Sequence, residues 1–388
     1  MTPAARAAAA IRILDHILSG DPPEVALSSW ARASRYAGSG DRAAVRDIVF
    51  DCLRRRRSLA RLGGSGGRGL VIGWAAERDL VEAVFDGGRH GPEPLTEAER
   101  ARLAAPPPPA SEAEALDCPD WLWPRLRRAL GEGTAPFLEA MRHRAPVFLR
   151  VNLLKTSRDG AAEALRAEGV ETRPHPAVTT ALEVTANARR VRATRAYRTG
   201  LVELQDLSPQ AAVAALPLRA GMSVLDFCAG GGGKALAMAA RVQGPVFAHD
   251  ANPARMADLP ARAARAGAKI HVLPRARLAS RRFDLVLCDV PCSGSGTWRR
   301  DPAAKWRLRP GELDRLLRTQ AEILDEAEGL VGPGGALAYM TCSVLAEENE
   351  DQTDAFLSRH SGWRQGKHQR FGPETGGDGF FASLLLRN

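Results

Sequence analysis

The first 85 residues place apolar side chains with the periodicity of amphipathic helices. Two sets show it: Ile11, Leu14, Ile17, Leu18 and Val45, Ile48, Val49, Leu53. A GSGD turn separates the sets, and Asp41 in that turn is placed to cap the second helix. We therefore predict an all-α domain over 1–118, which ends in the proline-rich linker at 87–110.

The pattern changes twice after this linker. Residues 119–145 return to helical spacing, and short β-prone stretches with one helix-like stretch follow up to Leu204. This predicts a helical connector and a small α+β subdomain over 119–205.

From Gly221 onwards, short apolar runs alternate with segments of helix length. The runs are MSVLDF, PVFAHD, KIHVL, FDLVLCDV and GALAYMT. Such alternation is typical of a mostly parallel sheet covered by helices on both faces, so we predict a doubly wound α/β domain over 206–388. The C-terminal run FFASLLLR is predicted to add an antiparallel edge strand.

Composition narrows the class of protein. The 388 residues are 45% hydrophobic and 26% charged, as in an ordinary globular protein, and no apolar run reaches the roughly 18 residues of a membrane span. Six scattered cysteines do not form a disulfide framework, and the N-terminal residues do not form a signal peptide. We expect a monomer in the cytoplasm, without membrane association. The net charge of +9 supports nucleic-acid binding only weakly, because an arginine-rich composition produces the same excess.

A glycine loop follows the first of these strands. LDFCAGGGGK places Gly230 to Gly233 between a strand and a helix, and Asp250 ends the next strand about 20 residues later. This arrangement suits an adenosine-containing cofactor, either a dinucleotide or S-adenosylmethionine, and it lacks the Lys-Ser/Thr pair of a nucleotide-triphosphate loop. A glycine-rich turn without a ligand is the alternative.

Two cysteines follow two strands of the same domain, and we expect them to converge on one crevice at the carboxyl ends of those strands. Cys292 comes shortly after FDLVLCDV, together with Asp289, and Cys342 lies in YMTCS. A thiolate that adds to carbon 6 of a pyrimidine makes carbon 5 nucleophilic, and a second group must then assist release. Cys288 and Cys292 do not complete a zinc site, because no second close pair of ligands exists, so we expect no metal. We interpret Cys52, Cys118 and Cys288 as small buried hydrophobic residues.

These motifs resemble those of the RNA cytosine-5 methyltransferases of the Sun/Nop family. The matching segments are CAGGGGK, DVPCSGSGTWRRDP, KW and YMTCS followed by EEN. VFLRVNLLKTSRDG and VELQDLSPQ resemble that family's small RNA-binding subdomain and its junction. GSGDRAAVRDIVFDCLRRRRSL resembles the NusB-like domain of the bacterial subfamily that acts on 16S ribosomal RNA. The resemblance implies a Rossmann-like class I methyltransferase domain, a small α+β RNA-binding subdomain and an all-α NusB-like N-terminal domain.

The resemblance also implies roles for matching residues. Cys342 would be the nucleophile, Cys292 would assist release of the methylated base, and Asp289 would lie beside the methyl donor and the cytosine. Asp250 would bind the ribose of S-adenosylmethionine. Its methionine part would be wrapped by the loop residues Cys228, Ala229, Gly230, Gly231, Gly232, Gly233 and Lys234. The residues alone do not separate the two cysteines as nucleophile.

The sequence departs from the family pattern at two places. Gly230 and Gly231 stand where the family usually has Ala-Pro, and Ala235 replaces a threonine, which predicts weaker cofactor affinity. Arg275 lies near the place where the family offers an aspartate to the adenine, so no residue is assigned to that contact.

A basic and aromatic segment follows Cys292. Trp298 and Trp306 flank Arg299, Arg300 and Lys305, which predicts RNA contacts by the three basic residues, with a packed lid as the alternative. The acids of EEN, Glu347 and Glu348, are explained by charge complementarity at a helix N-terminus.

The most specific interpretation is an S-adenosylmethionine-dependent RNA cytosine-5 methyltransferase. Its expected partner is RNA, either 16S ribosomal RNA or a small-subunit assembly intermediate. Transfer RNA is the alternative substrate, and a non-catalytic RNA-binding or assembly protein is the alternative function. A DNA methyltransferase is disfavoured, because that family carries its nucleophile in the Pro-Cys motif.

Overall fold

The chain divides into two units that are not contiguous in sequence. The computed structural model describes residues 1–388. One unit comprises residues 1–144 and 298–307, and the other comprises 145–297 and 308–388. The predicted helical connector at 119–145 therefore belongs to the first unit except for its last residue.

The first unit is built from helices. In its N-terminal part these are α1 (Pro3–Leu18), α2 (Pro23–Ala33), α3 (Ser39–Arg54), α4 (Arg56–Gly63), α5 (Gly67–Ala76), α6 (Val81–Val84), α7 (Glu97–Ala104), α8 (Glu112–Ala115), α9 (Trp123–Leu130) and α10 (Thr134–Met141). Thr2 caps α1 through a hydrogen bond that its hydroxyl accepts from the Ala5 amide, and Pro3 follows at the first helical position. The predicted apolar stripes of α1 and α3 face one core.

One local prediction in this unit is wrong. Helix α3 begins at Ser39 with Gly38 as its cap, so Asp41 lies inside the first turn. Its carboxylate accepts hydrogen bonds from the Arg6 side chain and the N-terminal amine and thereby joins α3 to α1.

The second unit begins with a four-stranded antiparallel sheet. Its strands and helices are β1 (Val147–Val151), α11 (Arg158–Ala167), β2 (Glu171–Pro174), β3 (Ala181–Ala186), α12 (Arg195–Arg198) and β4 (Val202–Leu204). The strand order is β2-β3-β1-β4. Leu149, Leu165 and Val202 pack together in its core, and this region forms the predicted small α+β subdomain.

The rest of the chain builds a seven-stranded sheet. Its elements are α13 (Leu207–Ala214), β5 (Val224–Asp226), α14 (Gly233–Val242), β6 (Val246–Ala248), α15 (Leu259–Ala266), β7 (Ile270–Val272), β8 (Phe283–Asp289), α16 (Pro302–Arg307), α17 (Pro310–Glu328), β9 (Val331–Thr341), α18 (Glu350–Arg359), β10 (Trp363–Phe371) and β11 (Phe380–Arg387). Only α16 returns to the first unit. The strand order is β10-β11-β9-β8-β5-β6-β7, and β5 to β9 pair in parallel.

Helices cover both faces of this sheet, as the pattern predicted. One core packs Val286 and Tyr339 against Leu324 of α17, and the other packs Val224 and Leu285 against Met238 of α14. The Rossmann-like fold class is thus confirmed. FFASLLLR forms β11, which is antiparallel as predicted but is not an edge strand, because β10 pairs with its outer side.

The helices lack the combination of length and apolar character that crossing a bilayer requires.

Candidate active site

The two predicted cysteines lie together at one edge of the large sheet. Strands β8 and β9 are parallel neighbours, with Asp289 opposite Met340, so the loops that follow them leave the same edge. The Sγ atoms of Cys292 and Cys342 are 3.3 Å apart. The amide of Gly296, in the first loop, donates to the carbonyl of Cys342 at 2.9 Å and joins the loops directly.

The environment of Cys292 favours the protonated thiol. The hydrogen bond with Cys342, burial, and the nearby charges of Cys342 and Glu348 raise the pKa of Cys292 well above its ordinary value. Cys292 is therefore a thiol at neutral pH and can hold a proton beside its neighbour.

The cysteines outside this pair fit their sequence interpretation. Cys52, Cys118 and Cys288 are fully buried, and burial raises the thiol pKa of each, to about 12 for Cys118. Cys52 and Cys288 pack within hydrophobic cores.

A lysine and a carboxylate lie next to the cysteine pair. Lys234, in the first turn of α14, places Nζ 2.5 Å from Oδ2 of Asp289 at the end of β8. Burial by itself lowers the pKa of Lys234, but the charge and hydrogen bond of Asp289, with further interactions from Asp226 and Cys342, outweigh it and raise the pKa. Lys234 is therefore a permanent cation at this edge, close enough to Cys342 to interact with its charge.

The glycine loop connects β5 to α14 as predicted. Gly230 and Gly232 adopt φ values of +49° and +80°, which glycine tolerates best. The amide of Gly230 donates to Oδ2 of Asp250 at 2.9 Å, and Oδ1 of Asp250 accepts from the Asn252 amide at 2.9 Å. The side chain of Arg262 donates to the carbonyl of Gly231. Asp250 therefore shapes the loop. Its Oδ2 also pairs with Arg255 at 3.4 Å, whereas its Oδ1 keeps a further lone pair for a ligand hydroxyl.

The remaining loop residues are placed around this turn. The Ala229 amide donates to the carbonyl of His249 at 2.8 Å, and the carbonyl of Gly233 accepts from Arg150 at 2.6 Å. Burial raises the pKa of Cys228, so this residue is an uncharged thiol. The structure thus brings the predicted cofactor loop, Asp250, Asp289 and both cysteines to the same region of one sheet.

Asp226 is a buried carboxylate that the sequence reasoning missed. It ends β5 at 1% exposure, and neither of its carboxylate oxygens has a hydrogen-bond partner. Burial and the charge of Asp289 raise its pKa to about 7. The sequence feature that could have identified Asp226 is its position as an acid within the otherwise apolar run MSVLDF. An acceptor left unsatisfied beside a glycine loop is consistent with a site that receives hydrogen-bond donors from a ligand.

The EEN motif does more than complement a helix. Glu348 is 0% exposed and accepts hydrogen bonds from the amide and hydroxyl of Ser293, at 2.8 and 2.5 Å. Helix α18 begins only at Glu350. The explanation by helix charge is therefore wrong for Glu348, because its carboxylate binds the loop after β8.

Comparisons with known proteins match two stretches of the chain. Residues 213–385 match the model of the 16S rRNA methyltransferase RsmB/F family, and residues 118–191 match the ferredoxin-like domain model of RsmF/B-like methyltransferases. Ribosomal RNA small subunit methyltransferase B of Xylella fastidiosa is 33% identical, over 94% of this chain and 87% of the relative. The chain belongs to the RsmB/F family.

A second relative agrees with membership of the RsmB/F family, and one solved structure shares the fold. Ribosomal RNA small subunit methyltransferase B of Salmonella arizonae is 36% identical over 69% of this chain, although the match spans only 66% of that relative. The crystal structure of PH0851 shares the fold, with a TM-score of 0.77 at 24% identity and 99% coverage of both chains.

The three predicted RNA-contact residues belong to the first unit. Lys305 is 1% exposed and Arg299 is 5% exposed, whereas Arg300 is exposed. The prediction of RNA contact is therefore wrong for Lys305 and Arg299 in this structure, because their side chains are enclosed by protein. It stays a prediction for Arg300. Arg275, which was left out of the site, is exposed and pairs with Glu326 at 2.8 Å.

Proposed function

We propose that this chain transfers a methyl group from S-adenosylmethionine to carbon 5 of a cytosine in RNA, with 16S ribosomal RNA or a small-subunit assembly intermediate as substrate. The observation that carries the proposal is the pair of thiols at 3.3 Å beside the glycine loop. Family membership supports the substrate class.

The electrostatic surroundings support distinct roles for the two cysteines. Cys342 interacts electrostatically with Lys234, which lies beside it at the end of the sheet. The hydrogen bond with Cys342, burial, and the charges of Cys342 and Glu348 oppose ionisation of Cys292 by raising its pKa. We therefore assign Cys342 as the nucleophile and Cys292 as the proton-holding partner, the same assignment that the family resemblance implies.

The reaction divides between these residues. The Cys342 thiolate forms a bond to carbon 6 of the cytosine, and this addition makes carbon 5 nucleophilic. S-adenosylmethionine supplies the methyl group as an electrophile. Loss of the carbon 5 proton then expels the Cys342 thiolate and restores the aromatic ring. The Cys292 thiol donates its Sγ proton to the leaving Cys342 sulfur, and the Cys292 sulfur in turn takes the carbon 5 proton, so that the Cys292 thiol is restored.

The cofactor would be held by residues that already form a cradle. The positive φ values of Gly230 and Gly232 turn the backbone between β5 and α14, and the unsatisfied Asp226 carboxylate can accept donors there. Asp250 would accept from a ribose hydroxyl with the remaining lone pair of its Oδ1. Lys234 would keep Asp289 oriented at the edge where carbon 5 must lie.

The test is methyl transfer by the purified chain. Radiolabelled S-adenosylmethionine is supplied with deproteinised 16S ribosomal RNA, with small-subunit assembly intermediates, and with transfer RNA in separate reactions. We expect 5-methylcytosine in a ribosomal sample. Label only in transfer RNA would replace the substrate, and no transfer to any RNA would leave the non-catalytic alternative.

The cysteine roles have their own readout. Cys342→Ala should abolish transfer and the covalent RNA adduct, whereas Cys292→Ala should accumulate an adduct that survives denaturation. An adduct formed by Cys342→Ala would reverse the assignment.

A further inference from the structure

Each reactive cysteine is held on both sides by a buried polar residue, and the two holding groups are consecutive in sequence. We propose that Glu348 and Asn349 are positioning residues that fix the separation of the two thiols. This inference rests on the proposed function for its catalytic consequence. Its geometric part concerns the thiols alone and can be tested without a substrate.

Glu348 holds the backbone around Cys292 together with Gln320. The Ser293 amide, on one side of Cys292, donates to Oε1 of Glu348 at 2.8 Å. The carbonyl of Pro291, on the other side, accepts from Nε2 of Gln320 at 3.0 Å. Gln320 Nε2 also donates to Oε1 of Glu348 at 3.0 Å, so one buried carboxylate oxygen organises both flanks of the cysteine.

Asn349 holds Cys342 in the same way. Its Oδ1 accepts from the Thr341 hydroxyl at 2.6 Å, and its Nδ2 donates to the carbonyl of Ser343 at 3.0 Å. These two residues flank Cys342. Asn349 is 0% exposed, as are Glu348 and Gln320, so water does not compete for these bonds.

The two holding groups are themselves fixed to the sheet. The hydroxyl of Tyr339, in β9, donates to the carbonyl of Glu348 at 2.6 Å. Serine hydroxyls join the two loops, since Ser295 and Ser343 lie 2.9 Å apart and Ser293 and Ser343 lie 3.4 Å apart. A shift of Glu348 would therefore move Cys292 relative to Cys342, and a displacement of about 1 Å can cost about a hundredfold in rate.

The direct test measures thiol proximity with dibromobimane, which becomes fluorescent when both of its bromomethyl groups alkylate thiols. The wild-type chain should react at Cys292 and Cys342, and Cys342→Ala should remove that signal. Glu348→Ala should slow the cross-link by about tenfold, whereas Glu348→Gln, which keeps an acceptor oxygen for Ser293, should retain most of it. The matched control is Glu183→Gln, which alters an acid paired with Arg173 in the four-stranded sheet, at 2.7 Å.

A second readout separates positioning from folding. In the methyl-transfer assay Glu348→Ala should lower kcat with little change in KM for RNA, because the substrate surface is untouched. If the RNA assay shows no activity in the wild-type chain, the proposed function fails while the cross-linking result still decides the geometry.

The overturning results are specific. A folded Glu348→Ala chain that cross-links at the wild-type rate overturns the proposal, as does a Glu348→Gln chain that loses as much as Glu348→Ala. Should Glu348→Ala fail to fold, Gln320→Leu decides, because it removes the donor to Pro291 and leaves the carboxylate. An unchanged cross-linking rate in Gln320→Leu then overturns the proposal, and a reduced rate supports it.

Discussion

Lys305 offers a test of how the segment 298–307 packs in the first unit. Its Nζ lies 3.4 Å from the carbonyl of Arg54 and 4.7 Å from the centre of the Trp306 ring. The indole of Trp306 donates to the carbonyl of Leu53 at 2.7 Å, which fixes the ring. We predict that Lys305→Met, which keeps the length of the side chain and removes its charge, stabilises this unit at neutral pH.

The magnitude follows from the pKa. Burial lowers the pKa of Lys305 from 10.5 to about 8, and each pKa unit corresponds to about 1.4 kcal/mol. Holding the ammonium in the folded chain therefore costs about 3 kcal/mol below pH 8. Lys305→Met also loses the cation–ring contact and the long hydrogen bond, which together stabilise the wild type by about 1 kcal/mol. The variant should therefore unfold with a free energy about 2 kcal/mol higher than that of the wild type. The carboxylate of Asp117 interacts with the charge of Lys305. In the variant it keeps its hydrogen bonds from Ser58 and its ion pair with Arg142.

The pH dependence has a definite sign. The unfolded chain keeps this proton up to about pH 10.5, whereas the folded chain releases it near pH 8. Between these values the unfolded chain binds more protons, so the free energy of unfolding of the wild type rises with pH. The advantage of Lys305→Met should be constant below pH 8 and should disappear by about pH 10.5.

Urea unfolding followed by tryptophan fluorescence measures this directly. Six of the seven tryptophans lie in the first unit, so the signal reports on the unit that contains Lys305. Lys367→Met, at an exposed lysine of the second unit, serves as the control and should change little. A Lys305→Met chain that is less stable than the wild type by the same amount at every pH would refute the reasoning.

Further predictions concern the second unit and the RNA surface. Asp226 holds its proton to about pH 7 when folded and to about 3.8 when unfolded, so stability should fall as pH rises through this window. Asp226→Asn should remove that slope in unfolding followed by circular dichroism, and an unchanged slope would contradict the burial argument. Gly231→Pro should tighten S-adenosylmethionine binding about threefold in calorimetry by restricting the free loop, whereas Gly230→Ala should weaken it because φ there is +49°. Arg300→Ala should lower the slope of RNA affinity against salt by about one, and an unchanged slope would remove Arg300 from the interface.

The periodicity of apolar positions predicted the architecture because burial itself creates that pattern. Val45 and Val49 face a core since one helical stripe must be buried, and the run FDLVLCDV is apolar since β8 has helices on both sides. The position of β11 inside the sheet could not be predicted in the same way. Strand β11 lies between β10 and β9 because of pairing across the sheet, and the sequence of β11 alone does not specify those neighbours.

The candidate site was predictable where one topological rule applied. Parallel neighbours end at the same edge, so Cys292 and Cys342 were expected to meet, and they do. Glu348 and Asp226 were not found, because acidic residues are seldom fully buried and a sequence pattern treats them as solvated. The contacts that enclose these two residues come from parts of the chain that are distant in sequence, so the neighbouring residues do not reveal them.

The surroundings of two enclosed lysines explain the error at Lys305. Only five basic residues are lysine and 49 are arginine, yet Lys234 and Lys305 are both largely buried. A guanidinium brings five donors into any buried position, whereas an ammonium is compact and can release its proton. Lys234 meets one carboxylate and Lys305 meets one carbonyl and a ring, which are surroundings too poor in acceptors for arginine. The other three lysines, Lys155, Lys269 and Lys367, are exposed, so residue type alone does not predict enclosure, and the scarcity of acceptors around Lys234 and Lys305 is what sets those two apart.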